Sequence, residues 1–201
     1  MTTAIAKQRT KKEKAIPESL IYEMVDGEPI YYRGYKDVIN KKKTLEQIMG
    51  SSALQSLLVM LILDILKDKL DNNYLRLPAE LGLKFAHKSW RNLDIAIYDK
   101  RTVEDKSVFL KNKYIEIVPE IVIEIDTKAE FTELLDFDTY FQKKTDQLLE
   151  AGVQRVIWIF TATKKHLVAV KDQKWEMDNW TADIAMMDGV EININQLLEA
   201  F

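Results

Sequence analysis

The stretch Pro119–Ile159, PEIVIEIDTKAEFTELLDFDTYFQKKTDQLLEAGVQRVIWI, decides the fold. It opens on alternation: Ile121, Ile123 and Ile125 are interleaved with Glu120, Val122, Glu124 and Asp126. A strand sends successive side chains to opposite faces, so the isoleucines share one face, and Val122, Glu124 and Asp126 share the other. A charged loop, Thr127–Asp138, follows. Tyr140–Ala151 reads as a helix with Gly152 as its C-terminal stop. Val153–Phe160 reads as a second, buried strand. Strand–helix–strand in this order predicts a parallel crossover within one sheet. Carboxylates at the end of an apolar strand are costly to bury unless they are paired, hydrogen-bonded or bound to a metal. With Lys143 and Lys144 on the next helix, they are the ingredients of a metal-dependent site that cleaves phosphodiesters.

Outward from this core, the rest of the chain reads as further strands and one long helix. Leu20–Val25 and Ile30–Tyr32, joined at Asp26-Gly27, are expected to form an N-terminal hairpin. Thr44 to about Leu70 is helical, with Leu54, Leu57, Leu58, Leu61 and Ile65 on one face and more apolar residues around it. A helix apolar all round packs on more than one surface, which points to a sheet on one side and a second subunit on the other. Tyr74–Leu83 and Leu93–Tyr98 are strands; in the second, Leu93, Ile95 and Ile97 are expected opposite Asp94, Ala96 and Tyr98. His166–Val170 and Lys174–Met177 form a hairpin around Asp172, Asp188-Gly189 is a turn, and Asn195 caps a last helix over Gln196–Phe201. The expected fold is a mixed α/β sheet flanked by helices, with residues 17–201 as a single domain behind a flexible basic tail at 1–16.

Composition narrows the chemistry. The chain has 201 residues and no cysteine, which excludes thiolate metal sites, and with only His87 and His166 a multi-histidine zinc site is not expected. A metal here would be held by oxygen, which favours magnesium or manganese. The net charge of −3 gives no global field for nucleic acid, so DNA would be met through a local patch. The greasiest run, Leu57–Leu63, is shorter than the roughly 20 residues of a membrane span. The expectation is a cytoplasmic protein without a membrane segment.

The motifs, in order, resemble those of the Uma-two family of restriction-endonuclease-like proteins, within the PD-(D/E)XK nuclease superfamily. Tyr22–Glu28, YEMVDGE, is similar to the family's opening hairpin, and Asp188-Gly189-Val190 with Gln196–Leu198 to its closing element. The resemblance implies that Asp94, preceded by Leu93 in place of the usual proline, is the motif aspartate. It implies that Glu124, in IVIEIDTK, is the motif glutamate. The lysine two residues on is replaced by Asp126, and Lys144 on the following helix takes its role. A histidine often found near the start of the first long helix has no match in Ser51–Gln55. On this resemblance Asp94, Glu124 and Lys144 are catalytic, and Asp94, Glu124 and Asp126 hold magnesium or manganese. Lys144 orients the attacking water or stabilises charge on the phosphorus. Asp126-Thr127-Lys128 is a second way of reading the lysine. The implied activity is endonucleolytic hydrolysis of DNA by a homodimer. The alternatives are an inactive relative that binds nucleic acid or assembles, and a carboxylate-pair hydrolase acting on another substrate such as a glycoside.

Overall fold

The computed structural model describes residues 15–201 apart from 112–113, 133–134 and 188; the side chain of Ala79 is also left aside. Nearly all of the expected basic tail, and half of the Asp188-Gly189 turn, therefore lie outside the described residues.

The N-terminal hairpin pairs β1 (Ile21–Val25) with β2 (Glu28–Tyr31). Asp26 and Gly27 at its tip have φ of 51° and 88°, the left-handed pair that a two-residue hairpin requires. Two short helices follow, α1 (Tyr35–Ile39) and α2 (Leu45–Met49), then the long α3 (Ala53–Lys69). The helix expected over Thr44–Leu70 is thus two helices. Gly50 ends α2 in extended conformation, and Ser52 restarts the chain as the N-cap of α3, accepting the Gln55 N–H. The buried stripe of α3 is Gln55, Leu58, Ile62 and Leu66, rotated from the expected one, so Leu54 and Met60 remain exposed.

Two long strands, β3 (Tyr74–Ala86) and β4 (Ser89–Asp99), form the next hairpin. Then come β5 (Ile121–Ile125), α4 (Phe137–Ala151), β6 (Arg155–Phe160), β7 (Lys165–Val170) and β8 (Glu176–Asn179). A separate ribbon of β9 (Ile184–Met187) and β10 (Val190–Ile192) precedes α5 (Ile194–Glu199), whose cap is Asn193 rather than Asn195. The main sheet runs β2-β1-β4-β5-β6-β7-β8, with β3 also paired to β4. Trp90 of β4 pairs with both Lys84 of β3 and Met24 of β1, so β1 lies on the edge of β4 opposite β3, the edge that β5 takes up further along. β5 and β6 are parallel, joined through α4 as the alternation and Gly152 (φ 115°) require.

Two cores sandwich the sheet. One holds Val122, Val156 and Trp158 against Tyr140, Phe141, Leu148 and Leu149 of α4. The other holds Ile95, Ile97, Ile121, Ile123 and Ile125 against Leu58, Ile62 and Leu66 of α3. Among the described residues no helix is long and apolar enough to cross a membrane.

Candidate active site

Lys144 stands in the middle of the buried stripe of α4, Tyr140-Phe141-Lys144-Thr145-Leu148-Leu149, which recurs with helical spacing. The Trp158 indole donates to Thr145 Oγ1 at 2.8 Å and fixes the helix rotation on the sheet. This sends a fully buried ammonium toward β4 and β5. All three of its N–H groups are engaged: Asn92 O at 2.7 Å, Glu124 Oε2 at 2.9 Å and Glu23 Oε1 at 3.0 Å.

Glu23, on β1, is the centre of a second, wholly buried constellation. Its Oε2 receives Arg91 Nη1 at 2.8 Å and the Tyr140 hydroxyl at 2.9 Å, and its Oε1 receives the Asn92 N–H at 3.2 Å. Arg91 Nε also donates to Gln147 Oε1 at 2.8 Å. Burial alone would raise the Glu23 carboxyl, but Lys144 and Arg91 outweigh it and hold the group below its ordinary range.

Asp94 sits where β3 slips. Pro78 pairs with Ile95 and Leu81 with Leu93, so two residues of β3 face Asp94 alone, and Glu80 within the slip has φ of 48°. The bulge breaks the alternation: Leu93 packs in the α4-side core, whereas Ile95 and Ile97 pack in the α3-side core. The expectation that these three share a face fails for Leu93. Asp94 Oδ2 accepts the Ile125 N–H at 2.7 Å and Gln55 Nε2 at 3.3 Å, and Gln55 Nε2 also donates to Ile125 O at 2.9 Å. One oxygen of Asp94 is thereby anchored to the end of β5. Burial raises its carboxyl, opposed by the Ile125 N–H and by Lys144.

Glu124 differs from its neighbours in one respect. Its Oε2 is held by Lys144, while its Oε1 is buried without a hydrogen-bond partner. Burial pushes its carboxyl up to about 8; Lys144 opposes this and the charge of Asp94 adds to it. Burial also works against the charge on Lys144, but Glu124 and Glu23 prevail and raise it well above the ordinary lysine range. At neutral pH the metal-free cluster therefore holds a charged Lys144, with Glu23 as its ionised partner, and a largely protonated Glu124.

Asp94, Glu124 and Lys144 thus come together as the motifs require, but Asp126 does not join them. β5 ends at Ile125, and Asp126 turns into a left-handed conformation, φ 57°, which takes its side chain off the face of Val122 and Glu124. Its carboxylate accepts the Thr161 N–H at 2.9 Å and the Thr161 hydroxyl at 2.5 Å, tying the end of β5 to the turn after β6. Lys128 is committed elsewhere, in an ion pair with Glu80, which also receives the Tyr32 hydroxyl. Sequence reasoning missed Glu23 and Gln55. Gln55 had a signal, since it falls three residues before Leu58 on the stripe that continues through Ile62 and Leu66.

Among the described residues no three acidic or histidine side chains form a metal cage. A magnesium ion does not need one, because it keeps several waters and binds through one or two carboxylates together with substrate phosphates. The unpartnered Glu124 Oε1, beside an Asp94 whose other oxygen is already fixed, fits that demand. Two clefts of about 570 and 760 Å3 flank the region, one bordered by Arg91, Tyr140 and Lys143, the other by Asp126, Thr127 and Phe160. Neither is lined by Asp94, Glu124 or Lys144, and of the three only Asp94, 8% exposed, retains any real contact with solvent.

A large mixed sheet with helices on both faces, carrying this cluster at one end, has a nuclease-like fold. The solved structures it resembles include that of a "putative nuclease belonging to DUF820" from Anabaena variabilis, with a TM-score of 0.59 over 88% of this chain and 89% of that one, at 19% identity. DUF820 is the Uma-two family, the one that the motifs resemble, and at this identity the likeness establishes the fold. No family model and no curated protein matches the sequence.

Proposed function

We propose that the protein is a metal-dependent endonuclease hydrolysing DNA phosphodiesters, with Asp94 and Glu124 holding magnesium or manganese. The observation that carries this reading is the buried Glu124 Oε1 without a partner, set beside Asp94 and Lys144 in a nuclease-like fold. When bound, the cation would polarise a phosphoryl oxygen and make an attacking water more acidic. The chain's own residues supply the rest. Gln55 and the Ile125 N–H fix one oxygen of Asp94 and leave the other to a ligand. An ionised Glu124 would offer Oε1 to the cation while its Oε2 keeps Lys144 Nζ. Lys144, held in place by Glu23 and Asn92 O as well, would set its positive charge against charge developing on the phosphoryl group. This reading takes the protein as a homodimer through α3, on which Leu54 and Met60 are exposed.

One observation favours a second reading, a nuclease-fold module that binds nucleic acid without cutting it: every N–H of Lys144 is already used inside the protein. Calorimetry with manganese and a plasmid-nicking assay separate the two. The active reading expects micromolar to millimolar manganese binding that Asp94→Ala abolishes. It also expects nicking that falls by about 10²–10³ in Lys144→Met, the loss usual for a charge-stabilising donor, and by far less in Lys128→Ala. Manganese binding with no nicking, or equal small losses in both lysine variants, would leave the non-cutting module.

A further inference from the structure

From Arg33 to Lys43 the sequence RGYKDVINKKK carries five cations against one anion, in a chain whose net charge is −3. All five cations are exposed. A local reversal of sign on this scale usually belongs to a solvated turn, but here the segment is bolted to the loop that leaves the candidate site. The Arg33 N–H donates to Lys128 O at 2.7 Å, and Arg33 Nη2 donates to Thr127 O at 2.7 Å. The Gly34 N–H donates to Glu130 Oε2 at 2.9 Å, and the Glu130 N–H returns to Tyr31 O at 2.8 Å. Thr127 is two residues past Ile125, whose own N–H holds Asp94. The lysines are equally well founded. The backbone N–H groups of Lys42 and Lys43 both donate to Asp37 O, and Ile48 of α2 is buried beneath the segment, its Cγ2 in contact with the Cβ position of Gly34. A loop this firmly held presents its charges at a fixed place and loses little entropy on meeting a polyanion.

We infer that the Arg33–Lys43 segment is the phosphate-backbone track of the protein, gripping duplex DNA on the strand-end side of the Asp94–Glu124 cluster. The inference rests on the nucleic-acid reading above and adds where the substrate is held. It also resolves the acidic net charge, because affinity is then supplied by one patch. Each phosphate contact contributes about 0.9 to the slope of log affinity against log salt. Asp37 pairs with Lys43 at 3.4 Å, but both groups are substantially exposed, so the ion pair is weak and the lysine remains available.

The test is fluorescence anisotropy on a labelled duplex, with the full chain in calcium so that no strand is cut, across a salt series. The variant is Lys41→Gln/Lys42→Gln/Lys43→Gln; the control is Lys171→Gln/Lys174→Gln, at the β7–β8 turn on the opposite end of the sheet. The expected result is a loss of about 10- to 100-fold in affinity and a salt slope lower by about 2–3 for the variant, with no change in the control. Manganese affinity stays as in the wild type, since none of the three lysines touches Asp94 or Glu124. Equal affinities and slopes in wild type and variant overturn the inference, as does an equal loss in the control. Binding that depends on Lys41–Lys43, without any cleavage in manganese, supports the track and removes the nuclease reading. Cleavage with a KM indifferent to the three substitutions retains the nuclease and removes the track.

Discussion

Two buried carboxylates contact the same lysine and live under different regimes. Glu23 receives Arg91, Tyr140, the Asn92 N–H and Lys144, and both of its oxygens are satisfied. Glu124 receives Lys144 alone and leaves one oxygen bare. Both are shielded from water, so solvent does not explain the contrast. A fully satisfied buried carboxylate holds architecture together, whereas one with a bare oxygen costs stability and calls for an explanation, which the proposed ligand supplies. Glu23 is thus the support and Glu124, on the proposed function, the working group, although sequence motifs alone single out only the second.

The sharpest way to break this comparison is to neutralise each in turn. Glu23→Gln leaves Arg91 and Lys144 buried without their shared counter-charge, and should lower unfolding free energy in urea by about 3–5 kcal/mol. Glu124→Gln replaces a largely protonated carboxyl by its neutral isostere and, measured at pH 5, should change stability by less than about 1 kcal/mol. Equal losses in the two variants would dissolve the distinction.

The same pair differs in its response to pH. The folded-state value of Glu124 is raised from 4.5 to about 8, so between these pH values the folded state binds more protons than the unfolded. Stability of the metal-free protein must then fall as pH rises through that window, by at most about 1.4 kcal/mol per unit from this group. Denaturation in a chelator at pH 5, 6, 7 and 8 should show this slope in the wild type and a flatter one in Glu124→Gln. Glu23, held low by Lys144 and Arg91, contributes in the opposite sense: its stabilisation is present above the ordinary glutamate range and is lost only in acid.

A smaller effect sharpens the comparison on the ligand side. Gln55 touches Asp94 only at Oδ2, the oxygen that the Ile125 N–H also holds, and it fixes the backbone at Ile125 as well. Loss of such an orienting partner usually weakens metal affinity by 10- to 100-fold. Manganese titration of Gln55→Ala should fall in about that range; an unchanged affinity would mean that the Ile125 N–H suffices to hold Asp94.

The β5–α4–β6 crossover could be read directly, because its apolar alternation, helical stripe and terminal glycine all lie within one stretch of chain. The family resemblance sets Lys144 apart from Lys143, and the place of Lys144 on the buried stripe between Tyr140 and Leu148 accounts for its burial. What could not be read depended on partners distant in sequence. Glu23 sits in YEMV like any solvent-facing strand residue, and only the pairing of β1 with β4 under α4 encloses it. Asp126 obeys the alternation on paper, but a strand ends where its hydrogen-bond ladder ends, and the left-handed turn that follows is invisible to a period-two pattern. The division of α2 from α3 was written in Gly50-Ser51-Ser52, but the apolar periodicity on either side masked it.

The pairing of Tyr140 with Glu23 spans 117 positions of the chain. On a ribosome, the hairpin that carries Glu23 emerges long before the helix that carries Lys144, and neither can complete the cluster alone. At about 5–20 residues per second, roughly 6–25 seconds separate their synthesis. Until Lys144 arrives, Glu23 and Asp94 lack the ammonium that the cluster is built around, so an incomplete chain should have no capacity to nick DNA. If the protein cuts, its activity starts only when the C-terminal half has arrived, a form of timing that follows from topology without any inhibitor.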